Sequence, residues 1–170
     1  LLAVTCAAGI VAGAAETAAS FELVDISGTG SADNHFMGAA TAGDGRVVFA
    51  PYFANGVGVF DPTDDSFSFV PFVSGDPLIG MDYKFSGAAT ARDGRVVFAP
   101  YNADGVGVFD PTDDSFSLVD ISATISMISK FAGAAVAGDG RVVFAPHDAD
   151  GVGVFDPTDD SFSLVDISAT

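Results

Sequence analysis

Apolar and polar positions alternate with a period of two over short runs, and no stretch carries an apolar stripe at 3.6-residue spacing. Ser115-Phe116-Ser117-Leu118 alternates strictly, as a half-buried strand does. Val96-Val97-Phe98 is apolar at every position, which suits a strand covered on both faces. Turn residues punctuate the runs. Asp93-Gly94 and Asp104-Gly105 are hairpin signals. Pro111-Thr112-Asp113-Asp114 reads as a type I turn, with Pro presetting φ and Asp bonding to nearby backbone. Between these turns the pattern predicts four strands, a to d, at 86–91, 95–101, 106–110 and 115–121.

The same unit occurs three times. DGRVVFAP stands at 44–51, 93–100 and 139–146, and GVGVFDPTDDSF at 56–67, 105–116 and 151–162. Residues 105–124 and 151–170 are identical. The period is 49 residues from Gly38 to Gly87 and 46 from Gly87 to Gly133. Four antiparallel strands in such a period make a propeller blade. The expected fold is therefore all-β, a β-propeller of four-stranded antiparallel blades at about 36–72, 85–122 and 131–168. Strand a is Gly-Ala-Ala-Thr because bulky side chains would collide near the central axis. Residues 21–27, FELVDIS, match the d strand at 162–168 and add one leading strand. Propellers have roughly four to eight blades. Three blades leave two apolar faces exposed, and such faces drive association. The expectation is part of a six- or seven-bladed ring, with a homodimer as the alternative.

Charge changes the picture of partners. The chain has 23 acidic residues against six Lys plus Arg, a net charge of −17. Phosphate backbones need clustered Lys and Arg, so nucleic acid is excluded. An anionic membrane surface is excluded on the same ground. Apolar residues nevertheless make up 49% of the chain, which excludes a disordered tail. Stacked blades reconcile the two, with apolar faces inside and Asp in the loops. Residues 1–15, LLAVTCAAGIVAGAA, suit the apolar region of a signal peptide, with Ala12-Gly13-Ala14 as a small-residue cleavage site. Residues 1–20 are thus expected as a leader and 21–170 as the repeats, placing the protein outside the cell or on its surface. The alternative for the leader is a small buried helix. Cys6, the lone cysteine, lies in this leader, so the mature chain is expected to have no internal disulfide.

The stretch GAATARDGRVVFAPYNADGVGVFDPTDDSFSLVDI resembles the YVTN-type, kelch-like β-propeller repeat. It shares the small-residue strand, the Asp-Gly-Arg turn, the aromatic strand, the Val-Gly-Val-Phe-Asp strand and the following Pro-Thr turn. The likeness covers residues 36–168, with Val-Val-Phe-Ala-Pro where the family has Tyr-Val-Thr-Asn. It implies a propeller. It leaves function open, because such blades serve binding proteins, lyases and lactonases.

In a meander of four strands, the a–b and c–d loops lie on one side and the b–c and d–a loops on the other. The first pair barely changes between repeats. The b–c loop does change, from Tyr52-Phe53-Ala54-Asn55 to Tyr101-Asn102-Ala103-Asp104 to His147-Asp148-Ala149-Asp150. The d–a loop also varies and absorbs the difference in period. Specificity is expected on this differentiated face. Its candidate ligand-binding residues are His35, Tyr52, Lys84, Tyr101, Lys130 and His147. His35, Lys84 and Lys130 each stand three residues before the glycine of strand a. They form either a basic ring for a carboxylate, phosphate or sugar acid, or caps on backbone carbonyls at the start of each blade. The partner expected is a protein or a small anionic or carbohydrate ligand.

On the uniform side, Arg46, Arg95 and Arg141 are expected to clamp the a–b hairpin to the Asp-rich c–d turns. Asp61, Asp64 and Asp65, with their equivalents at 110, 113, 114, 156, 159 and 160, form an acidic skin. Calcium takes six to eight oxygen ligands, so clustered Asp raises a calcium site, with Asp148 and Asp150 as weak candidates. No G-x-S-x-G, H-E-x-x-H or P-loop is present. Near-identical blades supply copies of one residue rather than unlike residues brought together, which favours binding or scaffolding. The enzyme alternative is a lyase- or lactonase-like, possibly metal-dependent, propeller with His147, Asp150 and His35 at the loop face.

Overall fold

A computed structural model describes Leu23 and residues 35–167. The expected leader, Cys6 and the leading strand fall outside these residues, apart from Leu23, which is exposed. Among the described residues, twelve strands form three antiparallel sheets, each in sequence order. The first sheet holds β1 (Phe36–Thr41), β2 (Val47–Pro51), β3 (Gly56–Asp61) and β4 (Ser66–Pro71). The second holds β5 (Phe85–Thr90), β6 (Val96–Pro100), β7 (Gly105–Asp110) and β8 (Ser115–Asp120). The third holds β9 (Phe131–Val136), β10 (Val142–Pro146), β11 (Gly151–Asp156) and β12 (Ser161–Asp166). Observed strand ends lie within a residue of those read from the pattern.

The turns work as their residues dictate. Asp93 Oδ1 accepts the Arg95 amide, and Gly94 takes φ +92°, a conformation glycine adopts without a Cβ penalty. In the c–d turn, Asp110 Oδ1 accepts both the amide and the hydroxyl of Thr112. Asp113 Oδ1 accepts the Ser115 amide, and Asp114 turns the chain at φ 56°.

Two apolar layers lie between the three sheets. Each sheet has a Val/Ala face and a Phe face, and the Val/Ala face of one packs on the Phe face of the next. Between the first and second sheets, Val48, Ala50, Val57 and Val59 meet Phe85, Phe98, Phe109 and Phe116. Between the second and third, Val97, Ala99, Val106 and Val108 meet Phe131, Phe144, Phe155 and Phe162. Inner strands β1, β5 and β9 approach so closely that only glycine fits at the crossing. A Cβ on Gly87 would lie 2.6 Å from the Gly133 Cα, and Gly87 holds φ +103°. A register shift between Phe85 and Ala88, one of three equivalent bulges, aims this glycine at its neighbour.

Polar contacts tie the sheets together on both rims. Arg46 Nε meets Asp44 at 2.6 Å within its own turn. Its terminal nitrogen crosses to the second sheet, donating to the Pro111 carbonyl at 2.8 Å and to Asp114 at 2.7 Å. Arg95 repeats the pattern, on Asp93 at 2.7 Å and on Asp160 and the Pro157 carbonyl of the third sheet at 3.0 and 2.5 Å. The expected clamp between hairpins is thus corrected in one respect. It joins neighbouring sheets, because stacking brings the next c–d turn beneath each arginine. Arg141 pairs with its own Asp139, and its side chain is 49% exposed against 20% for Arg46 and Arg95.

Candidate functional site

The b–c and d–a loops share one rim, as the meander requires. Backbone bonds build it. The His35 carbonyl accepts the amides of Tyr52 and Ala54, and the Lys84 carbonyl accepts those of Tyr101 and Ala103. The next sheet then locks on, since the Lys84 amide donates to the Tyr52 carbonyl and the Lys130 amide to the Tyr101 carbonyl, at 3.0 and 2.9 Å. Asparagine side chains latch the intervening loops. Asn55 Oδ1 accepts the Gly80 amide, and Asn102 Oδ1 accepts the Ser129 amide.

Lys84 and Lys130 are both fully buried. Tyr83 and Ser129 precede them at φ 58° and 54°, a turn that sends each lysine under the rim. Lys84 Nζ donates to the carbonyls of Met81 at 2.6 Å and Phe53 at 3.1 Å. Lys130 Nζ donates to those of Met127 at 2.5 Å and Asn102 at 3.3 Å, with Asp104 at 3.8 Å. Burial pushes the Lys84 ammonium down to about 8 and lowers that of Lys130 as well. Each lysine joins its own loop to the b–c loop of the preceding sheet. A basic ring facing a ligand is therefore not what these two lysines form; they are the carbonyl caps. The carbonyls satisfy the buried ammonium groups, and among the described residues no buried side-chain nitrogen or oxygen lacks a partner.

The rings, by contrast, remain at the surface in a row. Tyr52 and Tyr101 lie 6.3 Å apart, and Tyr101 and His147 5.3 Å apart, centre to centre. Tyr83 joins edge-on at 5.1 Å from Tyr52 and 4.8 Å from Phe53. Tyr83 and His147 are exposed, and Tyr52, Phe53 and Tyr101 are half-buried. Burial raises the Tyr52 phenol pKa, and the phenols of Tyr101 and Tyr83 add to that. His147 ends the row, whereas the His35 ring lies 6.1 Å from Phe36. His147 Nδ1 meets Asp148 Oδ1 at 2.8 Å.

The structure thus brings together Tyr52, Tyr101 and His147 and withdraws Lys84 and Lys130. Tyr83 escaped the sequence reading because it has no counterpart of like type in the other repeats. Arg92 escaped it as well. It stands where the other two a–b turns have Gly43 and Gly138, and it donates to the Gly138 carbonyl. With Asp93, Asp139, Arg141 and Thr158 it lines a cleft of about 550 Å³ on the opposite rim. Among the described residues, no three of His, Cys, Asp or Glu converge as metal ligands. Asp148 meets His147, Asp150 is exposed, and on the uniform side Asp61, Asp110 and Asp156 each accept from their own threonine.

No family model and no curated protein matches the chain. Solved structures do. Virginiamycin B lyase from Staphylococcus aureus superposes with TM-score 0.58 at 15% identity, over 78% of this chain and 41% of that one. The extracellular domain of the hybrid two component system BT3049 from B. thetaiotaomicron gives 0.61 at 15%, over 87% and 19%. Hydrazine synthase from Kuenenia stuttgartiensis gives 0.59 at 15%, over 83% and 38%. The chain spans about two fifths of the lyase's length. At such identities the likeness concerns the fold: the three sheets are β-propeller blades.

Proposed function

We propose that this chain is a binding module that works outside the cell and takes a neutral carbohydrate across the b–c rim. The row Tyr52–Tyr101–His147 carries this reading. Rings with one wet edge and one apolar face suit a ligand that is apolar on its faces and polar at its edges, as a sugar ring is. The lysines are held by carbonyls, and the rim carries Asp82, Asp104, Asp148 and Asp150, so the field favours a neutral ligand over an anionic one. Extracellular placement is supported by the apolar leader and by structural neighbours that are themselves extracellular domains. The repeat resembles the YVTN-type unit, whose blades serve binding proteins as well as enzymes.

Titration calorimetry with cellohexaose, xylohexaose, mannohexaose and hexagalacturonate tests this. A neutral hexasaccharide is expected to bind, and Tyr101→Ala to weaken it about tenfold. Binding of hexagalacturonate alone, or unchanged affinity in Tyr101→Ala, would overturn the reading.

One contact favours a second reading, an enzyme on the same rim. A carboxylate on Nδ1 orients an imidazole as a general base. One structural neighbour is a catalytically inactive virginiamycin B lyase holding quinupristin. Loss of intact quinupristin with this chain, abolished by His147→Ala, would favour the enzyme.

A further inference from the structure

The two outer blades each expose one half of a contact that the interior makes twice. On the first blade the Phe face is open. Phe36, Phe49 and Phe60 are half-buried, whereas their equivalents Phe85, Phe98 and Phe109 are fully buried. On the third blade the Val/Ala face is open. Val143, Ala145 and Val152 border an apolar groove of about 420 Å³, where Val97, Ala99 and Val106 are covered in the second blade. A Cβ on Gly133 would find its nearest neighbour only at 4.0 Å, where Gly38 and Gly87 have another glycine at 2.6 Å.

The polar contacts are left open in the same register. Arg46 and Arg95 each hold an Asp and a Pro carbonyl in the following blade. Arg141 has the same reach, and its Nε and one terminal nitrogen turn to its own Asp139. Asp65, exposed in the first blade, takes φ 56°, matching Asp114 at 56° and Asp160 at 55°. It presents the carboxylate that the arginine clamp requires, and no described arginine reaches it.

We propose that a second copy of this chain docks head to tail on these faces, the third blade of each on the first blade of the other, closing six blades into a ring. Shape and charge are matched because both internal interfaces already use the same halves. The contact is heterologous, and a heterologous contact that closes makes a ring. Six blades fall inside the range in which propellers close. Arg141 then holds Asp65 and the Pro62 carbonyl of the second copy. Gly133 meets Gly38 of the second copy. The aromatic rows of the two copies become one circuit around the mouth.

Sedimentation velocity of the full chain from about 1 to 200 µM tests this. A single species of twice the 17.1 kDa chain mass is expected at the upper end. Arg141→Glu is expected to weaken pairing about 30-fold, as is Asp65→Arg, and the double variant to restore it. Val152→Glu, on the open apolar face, is expected to abolish it while leaving the strand signal in circular dichroism intact. A monomer throughout, an open-ended ladder of masses, or a double variant no better than either single change would overturn the proposal.

Discussion

The middle blade and the outer blades share nearly the same sequence and differ in what covers them. Phe98 and Phe49 occupy equivalent strand positions, yet one is fully buried beneath the first blade and the other is only partly buried at the edge. Arg95 and Arg141 both open a second strand, yet one bridges two blades and the other pairs within its own turn. Identical residues therefore carry different energies. Stability in such an array belongs to the interfaces between repeats as much as to the repeats themselves.

Paired substitutions break this comparison most sharply where backbones touch. Gly87→Ala forces a Cβ onto Gly133 and strains a left-handed φ, and should cost about 4 kcal/mol in chemical denaturation. Gly133→Ala keeps the strain and loses the clash, for about 1–2 kcal/mol in dilute chain. Next come the phenylalanines. Phe98→Ala should cost about 4 kcal/mol and Phe49→Ala about half of that, since its ring is already partly in water. Equal losses at the two positions would mean that the blades are not distinguished by cover.

The buried lysine comes third. Lys84→Met strips two carbonyls of their donor and should cost about 2 kcal/mol. Its pH dependence sharpens the point. With the folded ammonium lowered to about 8 and the unfolded one near 10.5, the unfolded chain binds more protons between those values. Stability should rise as pH increases from about 8 towards 10, and thermal melts of Lys84→Met should show less of that rise. The smallest effect is the clamp. Arg95→Ala should cost about 1 kcal/mol, discounted for partial exposure, and Arg141→Ala should leave the melting temperature of dilute chain unchanged.

The blades were legible because local chemistry and global fold agree. Asp93-Gly94 and the Pro111–Asp114 turn fix where each strand ends, and three copies of the pattern repeat the evidence. Contacts across blades were harder to see. Arg46 was expected to meet the Asp-rich turns, but nothing in its own repeat says that the turn belongs to the neighbour. Lys84 and Lys130 stand where either a basic ring or a carbonyl cap would put them. Only the left-handed turns at Tyr83 and Ser129, which side-chain type does not announce, decide that they point inward. Tyr52, Tyr101 and His147 were legible as a set because they share a repeat position. Tyr83 was not, because its counterpart in the third repeat is Ser129, a residue of another type.

Hydrogen exchange along the full chain, read by mass spectrometry at dilute and at high concentration, addresses the difference between covered and open blades most directly. In dilute chain β6 and β7 should exchange slowest, with β1–β4 and β10–β12 faster. At high concentration the outer strands should slow towards the middle ones as their open faces are covered. Equal protection of all three blades at every concentration would contradict the claim that the interfaces set their stability.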